Sequence, residues 1–551
     1  IPRIKGRYIF DLLIAYKKLY GAELVSYELD EISDIELGVK KVQYKGNIFQ
    51  LYLNDKELFK EYNISDVELC KELDNKIKII EKYYDLSKFI NCTLDKTLSN
   101  SRMLDMYNLQ YAKHIRKIAL PSKTIHEDKP YKGAIVIEPK HGVHNNIIVE
   151  DLKRIYPNII VSYNMSPETL VLNPNKDDDN IMIVSDEVGF RMNVEGFCSE
   201  VVGNLFKLRD DKADFKNSIK DVNSKEYDHA KRDEQYVKDL INSYYGDIGF
   251  VGSRLFNLHI ADSVTRIGRR VIEWCHKEIN ENGYEVLYTD TDSIFLYSKH
   301  TEKYDDVKDL IKVEGKEISK LINISMNKFA KQYNIKEHKF SIDFEKIFET
   351  LVFVLKESGG TAKKKYFGLI KYLDGKDVNK KEFKNVEVMK SDSSKIIKEI
   401  LNGIIDNIFD HKSEDYIISY INGMNSKLLN SDFYNIGMPK GIRQQLHTYK
   451  SKGAHVVGAI YSNKYLGTSF DAGSKPMYCY VNHNSFKCKK HHSTHVISYD
   501  MNTIIPDCFS PNYDIILKRL VINKINRLFL SIGWNLGDVK LGNQVKLSQF
   551  I

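Results

Sequence analysis

The sequence predicts a multidomain protein of mixed helix and strand, an α/β fold with α+β character. With 551 residues, the chain is long enough for several packed units, and its 42% hydrophobic content can supply their cores. Apolar, strand-like runs end in carboxylates at Asp151 and again near Asp290 and Asp292. A long charged segment with helical periodicity separates these runs. The sequence therefore combines strands that carry acidic groups with a basic helical insertion.

Residues 133–137 and 147–149 predict two buried strands, because both are continuous apolar runs of strand length. Asp151 comes shortly after the second run. A single carboxylate at such a place also fits a turn or a solvated surface group. Carboxylate oxygens are, however, the hard ligands that Mg²⁺ prefers, usually together with substrate phosphates. Asp151 is therefore a candidate metal ligand.

Residues 286–288 and 294–297 predict a strand hairpin whose turn carries Asp290 and Asp292. Acidic turns between strands are common, so this turn alone has a plain structural explanation. Together with Asp151, it predicts a site for two metal ions, which can stabilise both the attacking and the leaving oxygen of a phosphoryl transfer.

Residues 204–246 predict a helical hairpin with its turn near residues 221–224, and residues 257–282 predict a further helix. Each hairpin helix has one face that suits a phosphate-bearing ligand. These faces carry Arg209, Lys212 and Lys216 on the first helix, and Lys238, Asn242 and Tyr245 on the second. Charged helix faces are usually solvated, and that is the alternative explanation.

Three segments resemble motifs A, B and C of the family B DNA polymerases, in that order. They are Asp-Leu-Lys-Arg-Ile-Tyr-Pro-Asn-Ile-Ile at 151–160, Lys-Asp-Leu-Ile-Asn-Ser-Tyr-Tyr-Gly at 238–246 and Tyr-Thr-Asp-Thr-Asp-Ser at 288–293. The resemblance runs from about Gly6 to the C-terminus and is closest to the replicative polymerases of T-even-like phages. It implies a right-hand fold with an antiparallel-sheet palm, helical-hairpin fingers and a mainly helical thumb, preceded by a partial RNase H-like exonuclease segment.

The resemblance also implies roles for individual residues. Asp151, Asp292 and Lys238 would be catalytic, and the metal ligands for two Mg²⁺ ions would be Asp151 and Asp292, with Asp290 and Glu345 close by. Tyr156 would lie under the incoming sugar and exclude a 2′-hydroxyl, although an aromatic ring that only packs is the alternative. Further substrate contacts would come from Leu152, Arg209, Lys212, Asn242 and Tyr245, and primer contacts from Lys363, Lys364, Lys365 and Tyr366.

The backbone of motif A has an implied role as well. The N–H groups of Leu152 to Arg154 are expected near the triphosphate. The side chains of Lys153 and Arg154 depart from the small polar residues that are usual in the family, and we expect them to be solvated.

Tyr62 and Asp66 resemble the third exonuclease motif of the family, Tyr-x-x-x-Asp, and their spacing places both on one helical face. The family's first two exonuclease motifs are not in this chain, so the resemblance implies an incomplete 3′–5′ exonuclease. The first residue is Ile1, which leaves open a fragment, a processed product or a split gene. In the last case, a separate N-terminal subunit would bear the rest of the exonuclease.

The C-terminal part begins with Ser394, a predicted N-cap, followed by isoleucines and a leucine at helical spacing that predict an amphipathic helix. The tail resembles a sliding-clamp-binding motif, Gln-x-x-Leu-x-x-Phe-Ile, formed by Gln544, Leu547, Phe550 and Ile551. A zinc site at Cys479, Cys488, His491 and His495 is not favoured, because the cysteines are too far apart for a usual zinc knuckle.

The composition limits the surroundings of the protein. No apolar run approaches the roughly 20 residues of a membrane span, and seven scattered cysteines suit a reducing compartment. The net charge of +7 permits a nucleic-acid partner. We therefore expect a cytoplasmic protein with no membrane partner, and the resemblance to phage enzymes implies the cytoplasm of a phage-infected bacterium.

The sequence thus predicts a DNA-directed DNA polymerase, a nucleotidyltransferase that extends a primer on a template with dNTPs. The alternatives are a repair or protein-primed polymerase of the same family, and a catalytically inactive, polymerase-like subunit that binds DNA and clamp. The predicted domains are an exonuclease remnant (1–85), a connector (86–130), palm with motif A (131–203), fingers (204–246), palm with motif C (247–390), thumb (391–540) and clamp-binding tail (541–551).

Overall fold

The structure is a computed structural model that describes residues 5–20, 27–44, 48–124, 127, 130–356, 359–386, 392–484, 493–518, 523–534, 540–541 and 545–546. Its α-helices are α1 (Leu12–Tyr20), α2 (Leu29–Leu37), α3 (Ile48–Asn54), α4 (Lys56–Ile77), α5 (Ile79–Ile90), α6 (Asn100–Tyr111), α7 (Ile155–Ser162), α8 (Phe197–Ser218), α9 (Lys225–Ile248), α10 (Leu258–Glu281), α11 (Tyr304–Gln332), α12 (Lys395–Phe409), α13 (Glu414–Leu429), α14 (Phe433–Ile436), α15 (Ala454–Tyr465), α16 (Tyr513–Ile516) and α17 (Asn523–Ser531).

The strands are β1 (Gly142–Leu152), β2 (Leu170–Leu172), β3 (Ile181–Ile183), β4 (Val188–Arg191), β5 (Val286–Asp290), β6 (Ser293–Tyr297), β7 (Ile342–Leu355), β8 (Thr361–Leu373), β9 (Lys376–Lys384), β10 (Met438–Pro439), β11 (Met477–His483), β12 (Val496–Tyr499), β13 (Phe509–Pro511), β14 (Lys540–Leu541) and β15 (Val545–Lys546). Among the described residues, no helix has both the length and the apolar composition that a membrane crossing requires.

A six-stranded antiparallel sheet in the order β5-β6-β1-β7-β8-β9 forms the centre of the molecule. Successive side chains of β1 point to opposite faces, as they do in any strand. Ile148 and Leu152 enter the large core formed with α7, α10 and α11, whereas Ile147 and Val149 enter a second core on the other face. Both faces of β1 are therefore buried, which explains its continuous apolar run. The predicted mixed fold with an antiparallel sheet is confirmed.

Helix α10 forms part of the layer beneath this sheet. The Asn257 side chain caps its start by accepting a hydrogen bond from the N–H of Ile260 at 3.2 Å. Val264, Ile267 and Val271 recur at helical spacing and are fully buried. The helix predicted at residues 257–282 is confirmed.

Helices α8 and α9 form an antiparallel pair, with the connection at residues 219–224. The Ser224 hydroxyl caps α9 by accepting from the N–H of Tyr227 at 3.1 Å. This confirms the helical hairpin and the position of its turn. The pair begins directly after the β2–β4–β3 sheet and returns the chain to α10.

The C-terminal region combines helices with a small antiparallel sheet of β10, β11, β12 and β13. Ser394 accepts a hydrogen bond from the N–H of Ile397 at 3.4 Å, so the predicted N-cap and amphipathic helix α12 are confirmed. Helix α15 packs on β12 at Gly458, where an added Cβ would lie 2.8 Å from the carbonyl carbon of Ile497. The small sheet was not predicted from the sequence.

The prediction of a buried strand at residues 133–137 is wrong. This segment forms only one isolated bridge, between Val136 and Asp290. Its backbone carbonyls accept hydrogen bonds from side chains instead. Arg269 donates to the carbonyl of Gly133 at 2.6 Å, and Lys363 donates to that of Val136 at 2.8 Å. This apolar run therefore forms an extended segment that is held by basic side chains and, apart from the one bridge, not by pairing with a neighbouring strand.

Candidate active site

The acidic residues singled out in the sequence meet at one edge of the central sheet. Asp151, near the end of β1, pairs with Ser293 of β6 on one side and with Asp343 of β7 on the other. The N–H of Leu152 donates to the carbonyl of Asp292 at 2.9 Å, which fixes the β5–β6 turn beside β1. The Ser293 hydroxyl donates to Oδ1 of Asp151 at 3.1 Å. Asp151 and Asp292 thus belong to adjacent, mutually hydrogen-bonded backbone segments.

These carboxylates destabilise one another when no cation is present. Burial, and then the charge of Asp151, raises the pKa of Asp292 to about 6. Burial also raises the pKa of Asp151, against a hydrogen bond from Ser293 that lowers it. The pKa of Glu345 is raised by burial first, and Asp151 again contributes. A divalent cation would relieve this repulsion, so the donor set fits a metal ion that prefers oxygen ligands.

The acidic edge is open rather than a closed cage. Among the described residues, three potential ligand atoms lie within 4.8 Å of one another only at the surface group Glu81, Asp85 and His229. There Arg232 already approaches Asp85 at 3.5 Å, so a positive charge is supplied by the protein itself. At the acidic edge, the remaining coordination positions of a metal would have to come from substrate phosphates and water, which is usual for Mg²⁺.

The lysines predicted to contact the primer lie beside the β5–β6 turn. Lys364 forms an ion pair with Asp290 at 2.9 Å, and Lys363 bonds the carbonyl of Val136. Tyr366 is only 3% exposed, and its hydroxyl donates to Glu382 at 3.0 Å. Burial raises the pKa of Tyr366 strongly, and Glu382 adds to this effect. The ring of Tyr366 is thus part of the core, and the accessible side chains here are lysines.

Three tyrosines lie together next to the acidic edge. The rings of Tyr156 and Tyr245 are 4.5 Å apart, and the hydroxyls of Tyr245 and Tyr131 are 2.9 Å apart. Gly268 of α10 allows Tyr156 to lie close, because an added Cβ would be 3.2 Å from Cε1 of the ring. The sequence indicated Tyr156 and Tyr245 but missed Tyr131, which no periodic pattern distinguishes from other aromatic residues.

The polar and basic side chains that the sequence indicated on the hairpin divide into two groups. Lys238 and Asn242 are exposed on α9, and Lys238 forms no ion pair with any described residue. The side chains on α8 instead pair with acids of α9: Lys212 with Asp233 at 2.7 Å, Arg209 with Glu234 at 3.7 Å and Lys216 with Glu234 at 2.5 Å. The structure therefore places Lys212 within the hairpin, where it joins the two helices.

The backbone of motif A does not offer all the donors that were expected. The N–H of Leu152 is bonded to Asp292, and that of Lys153 donates to the carbonyl of Ser341 at 3.0 Å. The Leu152 side chain is 2% exposed. Leu152 therefore helps to assemble the acidic edge and has no free donor for a substrate in this structure.

Tyr62 and Asp66 lie on one face of α4, as their spacing predicted, and both contact Lys41. Nζ of Lys41 is 2.5 Å from the Tyr62 hydroxyl and 2.8 Å from Oδ2 of Asp66. Burial alone would lower the pKa of Lys41, but the hydrogen bonds that the ammonium donates to Asp66 and Tyr62 favour its charged form and raise the pKa. Lys41 was not indicated by the sequence. Its ammonium supplies a positive charge to Asp66.

Two predictions concern residues that the structure does not describe. Gln544, Leu547, Phe550 and Ile551 of the tail lie outside the described residues, as do Cys488 and His491. Cys479 is fully buried in β11, where its thiol contacts the carbonyl of Tyr480. This position suits a core residue.

Comparison with known proteins agrees with the sequence motifs. Residues 66–532 match the profile of DNA polymerase family B. The chain is 26% identical over 486 residues to DNA polymerase 2 of Aeropyrum pernix, which covers 86% of this chain and 55% of that protein. It is 28% identical over 501 residues to a DNA polymerase of Archaeoglobus fulgidus (87% and 56%) and 27% identical over 471 residues to one of Thermococcus gorgonarius (83% and 56%).

The chain thus spans a little more than half the length of these relatives, all of which are archaeal. The family predicted from motifs A, B and C is confirmed, whereas the closer resemblance to T-even-like phage enzymes stays a prediction. The matched segment contains all three motifs and the acidic edge of the sheet. This chain belongs to DNA polymerase family B.

Proposed function

We propose that this chain is a DNA-directed DNA polymerase that extends a primer with dNTPs. The observation that carries the proposal is the backbone hydrogen bond of 2.9 Å between Leu152 and Asp292, which holds Asp151 and Asp292 side by side at the sheet edge. In the proposed reaction, the primer 3′-hydroxyl gives up its proton to water and its oxygen forms a bond to the α-phosphorus. The bond between the α-phosphorus and the bridging oxygen breaks, and pyrophosphate leaves.

Asp151 and Asp292 would hold two Mg²⁺ ions, with Glu345 and Asp290 as neighbouring acids. When bound, Mg²⁺ supplies positive charge that stabilises the attacking and leaving oxygens. Asp290 is the more peripheral of the four, because it is paired with Lys364. Its carboxylate is shared with the lysine, although its negative charge still adds to the raised pKa of Asp292, after burial and Asp151.

The remaining residues would bind and orient the nucleotide. The ring of Tyr156, packed on Tyr245, would form the floor under the sugar and leave no space for a 2′-hydroxyl. Lys238 and Asn242 are exposed on one face of α9 and would contact the triphosphate. Positive groups at this position neutralise the charge that develops on the leaving pyrophosphate. Arg209 would assist from α8.

The wider functional context is also a proposal. Lys363, Lys364 and Lys365 would contact the primer backbone, which positions a duplex without reading its sequence. The proposal also includes the predicted boundaries of palm, fingers, thumb and exonuclease segment. It further includes the clamp-binding tail, the separate exonuclease-bearing subunit and a role in phage DNA replication.

Primer extension on a labelled hairpin tests the proposed activity. We expect Mg²⁺-dependent extension by the unaltered chain and a loss of at least about 10³-fold in Asp151→Asn and Asp292→Asn, with DNA binding kept. Asp343→Asn is a matched control, because Asp343 is an exposed acid at the same edge that pairs with Lys153. A chain that binds primer–template but extends nothing would instead support the inactive, DNA-binding subunit.

A further inference from the structure

We propose that the guanidinium of Arg154 binds the terminal phosphates of the incoming nucleotide, and that Asp210 of α8 holds this guanidinium when no nucleotide is present. The inference rests on the proposed polymerase function and adds a substrate-binding residue to it. It replaces the expectation that Arg154 is merely solvated.

Arg154 occupies a constrained position at the start of α7. Its φ of +48° lies in the left-handed region, which non-glycine residues rarely adopt. Its carbonyl accepts from the N–H of Asn158 at 2.9 Å, so this residue begins the helix. The side chain is 25% exposed and lies over the ring of Phe206, 5.1 Å from its centroid. The contact with Phe206 places the guanidinium against α8.

The guanidinium has no close acidic partner among the described residues. The nearest carboxylate oxygen, on Asp210, is 3.9 Å away, and the Asp210 side chain is 71% exposed. Arg209 is a second guanidinium in the same neighbourhood: burial first, and then Arg209, lowers the pKa of Arg154. Arg209 is itself only loosely paired, at 3.7 Å from Glu234. Two guanidiniums that repel each other and lack tight partners form a site for an added anion.

The position of this site indicates which anion it binds. Arg154 is three residues from Asp151 and two from Tyr156, between the proposed metal ligands and the proposed sugar floor. The N–H groups of Leu152 and Lys153 are already used, so two of the expected backbone donors are not available to a phosphate here and a side-chain donor can take their place. A planar guanidinium suits two phosphate oxygens at once. A triphosphate that begins at Asp151 and extends toward α8 would meet Arg154 with its outer phosphates.

Steady-state primer extension by Arg154→Asn and Asp210→Asn tests this arrangement, because the two changes should act in opposite directions. Asparagine tolerates the left-handed backbone, so Arg154→Asn removes the charge with little strain. We expect Arg154→Asn to raise KM for dNTP about tenfold with a much smaller change in kcat. Asp210→Asn should lower KM about twofold, because it removes a weak, exposed competitor.

Pyrophosphate serves as a second probe, because it carries the phosphates without the sugar. Its inhibition of extension should weaken in Arg154→Asn by a factor similar to that for dNTP, and Arg154→Lys should give an intermediate value. Lys153→Asn is the matched control, since it removes a neighbouring positive charge that is paired with Asp343. The Kd for primer–template should stay unchanged in all four variants.

The coupling between the two residues makes the test decisive. In the Arg154→Asn background, Asp210→Asn should no longer lower KM, because there is no guanidinium left to release. An unchanged KM in Arg154→Asn, or an equal effect of Asp210→Asn with and without Arg154, would overturn this inference while the proposed polymerase function stands. A chain that shows no extension at all would overturn the proposed function itself.

Discussion

Glu382 of β9 is the single acceptor for two buried groups of neighbouring strands. Its Oε2 accepts from Nζ of Lys346 at 2.9 Å, and its Oε1 accepts from the Tyr366 hydroxyl at 3.0 Å. Lys346 is 8% exposed and Tyr366 is 3% exposed. Among the described residues, Lys346 forms one further ion pair, with Glu345 at 3.6 Å. Replacing Glu382 by leucine would therefore leave a hydroxyl without its acceptor and an ammonium with one distant partner.

These contacts determine how much free energy of unfolding the substitution should remove. Removing one partner of a buried ion pair costs about 3–5 kcal/mol, and an unsatisfied buried hydroxyl costs about 1–3 kcal/mol. The Glu382 side chain is 21% exposed, so some water reaches the vacated space and the lower end applies. We expect Glu382→Leu to lower the free energy of unfolding by about 3 kcal/mol. Lys346→Met should cost less, about 2 kcal/mol, because Glu382 keeps its bond to Tyr366.

The double variant gives the strongest test. With both charges replaced by apolar groups, only the Tyr366 hydroxyl lacks a partner, so the double variant should lose about 2 kcal/mol, less than Glu382→Leu alone. Urea unfolding can be followed by the fluorescence of Trp274, which packs against Phe329 in the layer below the sheet. A Trp534→Phe background removes the chain's other tryptophan. Strictly additive losses in the double variant would refute the reasoning.

Three further predictions concern the proposed chemistry. Tyr156→Ala should admit ribonucleotides at least about tenfold more readily, because it opens the space under the sugar; the ratio of dNTP to rNTP incorporation measures this. Lys238→Ala should lower kcat/KM for dNTP about 10²-fold with unchanged DNA affinity, since it removes an unpaired positive charge. Deleting residues 544–551 should leave extension of short primers intact but abolish stimulation by a cognate clamp on long templates, because only tethering is lost.

Local patterns explain why so much of the fold could be predicted. Helix α10, the α8–α9 hairpin and the β5–β6 hairpin are each specified by periodicity and capping within one continuous segment. These sequence signals depend only on neighbouring residues. The predicted elements form in the folded protein where tertiary packing favours the same local structure. The prediction for residues 133–137 was wrong because the structure of that segment depends on long-range contacts. That run has strand composition, but its pairing depends on distant side chains such as Arg269 and Lys363.

The sequence could propose residue types for the candidate site, but it could not indicate the partner of each side chain. Lys212 and Lys238 look alike in the sequence, on matching faces of two helices. One pairs with Asp233 inside the hairpin and the other is exposed, and this difference depends on how the helices face each other. Tyr131 and Lys41 were missed for the same reason. Their contacts with Tyr245 and Asp66 span long stretches of chain that no local period encodes.

The acidic edge itself depends on a register shift between β1 and β7. A simple alternating pattern would have assigned some of its side chains to the wrong face of the sheet. Along β1 and β7, Val149 pairs with Lys346, but the next residue, Glu150, pairs with Phe344. Glu345 is thus the extra residue of a β-bulge, and the alternation of β7 changes there. Lys346 and Asp343 consequently lie on the same face as Asp151, although strict alternation would separate them.

This bulge accounts for the electrostatics of the site. The charges that act on the pKa of Asp151 include Lys346, which lowers it, and Asp343, which raises it, and Asp151 in turn raises the pKa of Glu345. All three neighbours come from four consecutive residues of β7, which a regular strand would divide between two faces. The bulge therefore brings both the third acid and a compensating lysine to the acidic edge, and Glu382 of β9 fixes that lysine from across β8.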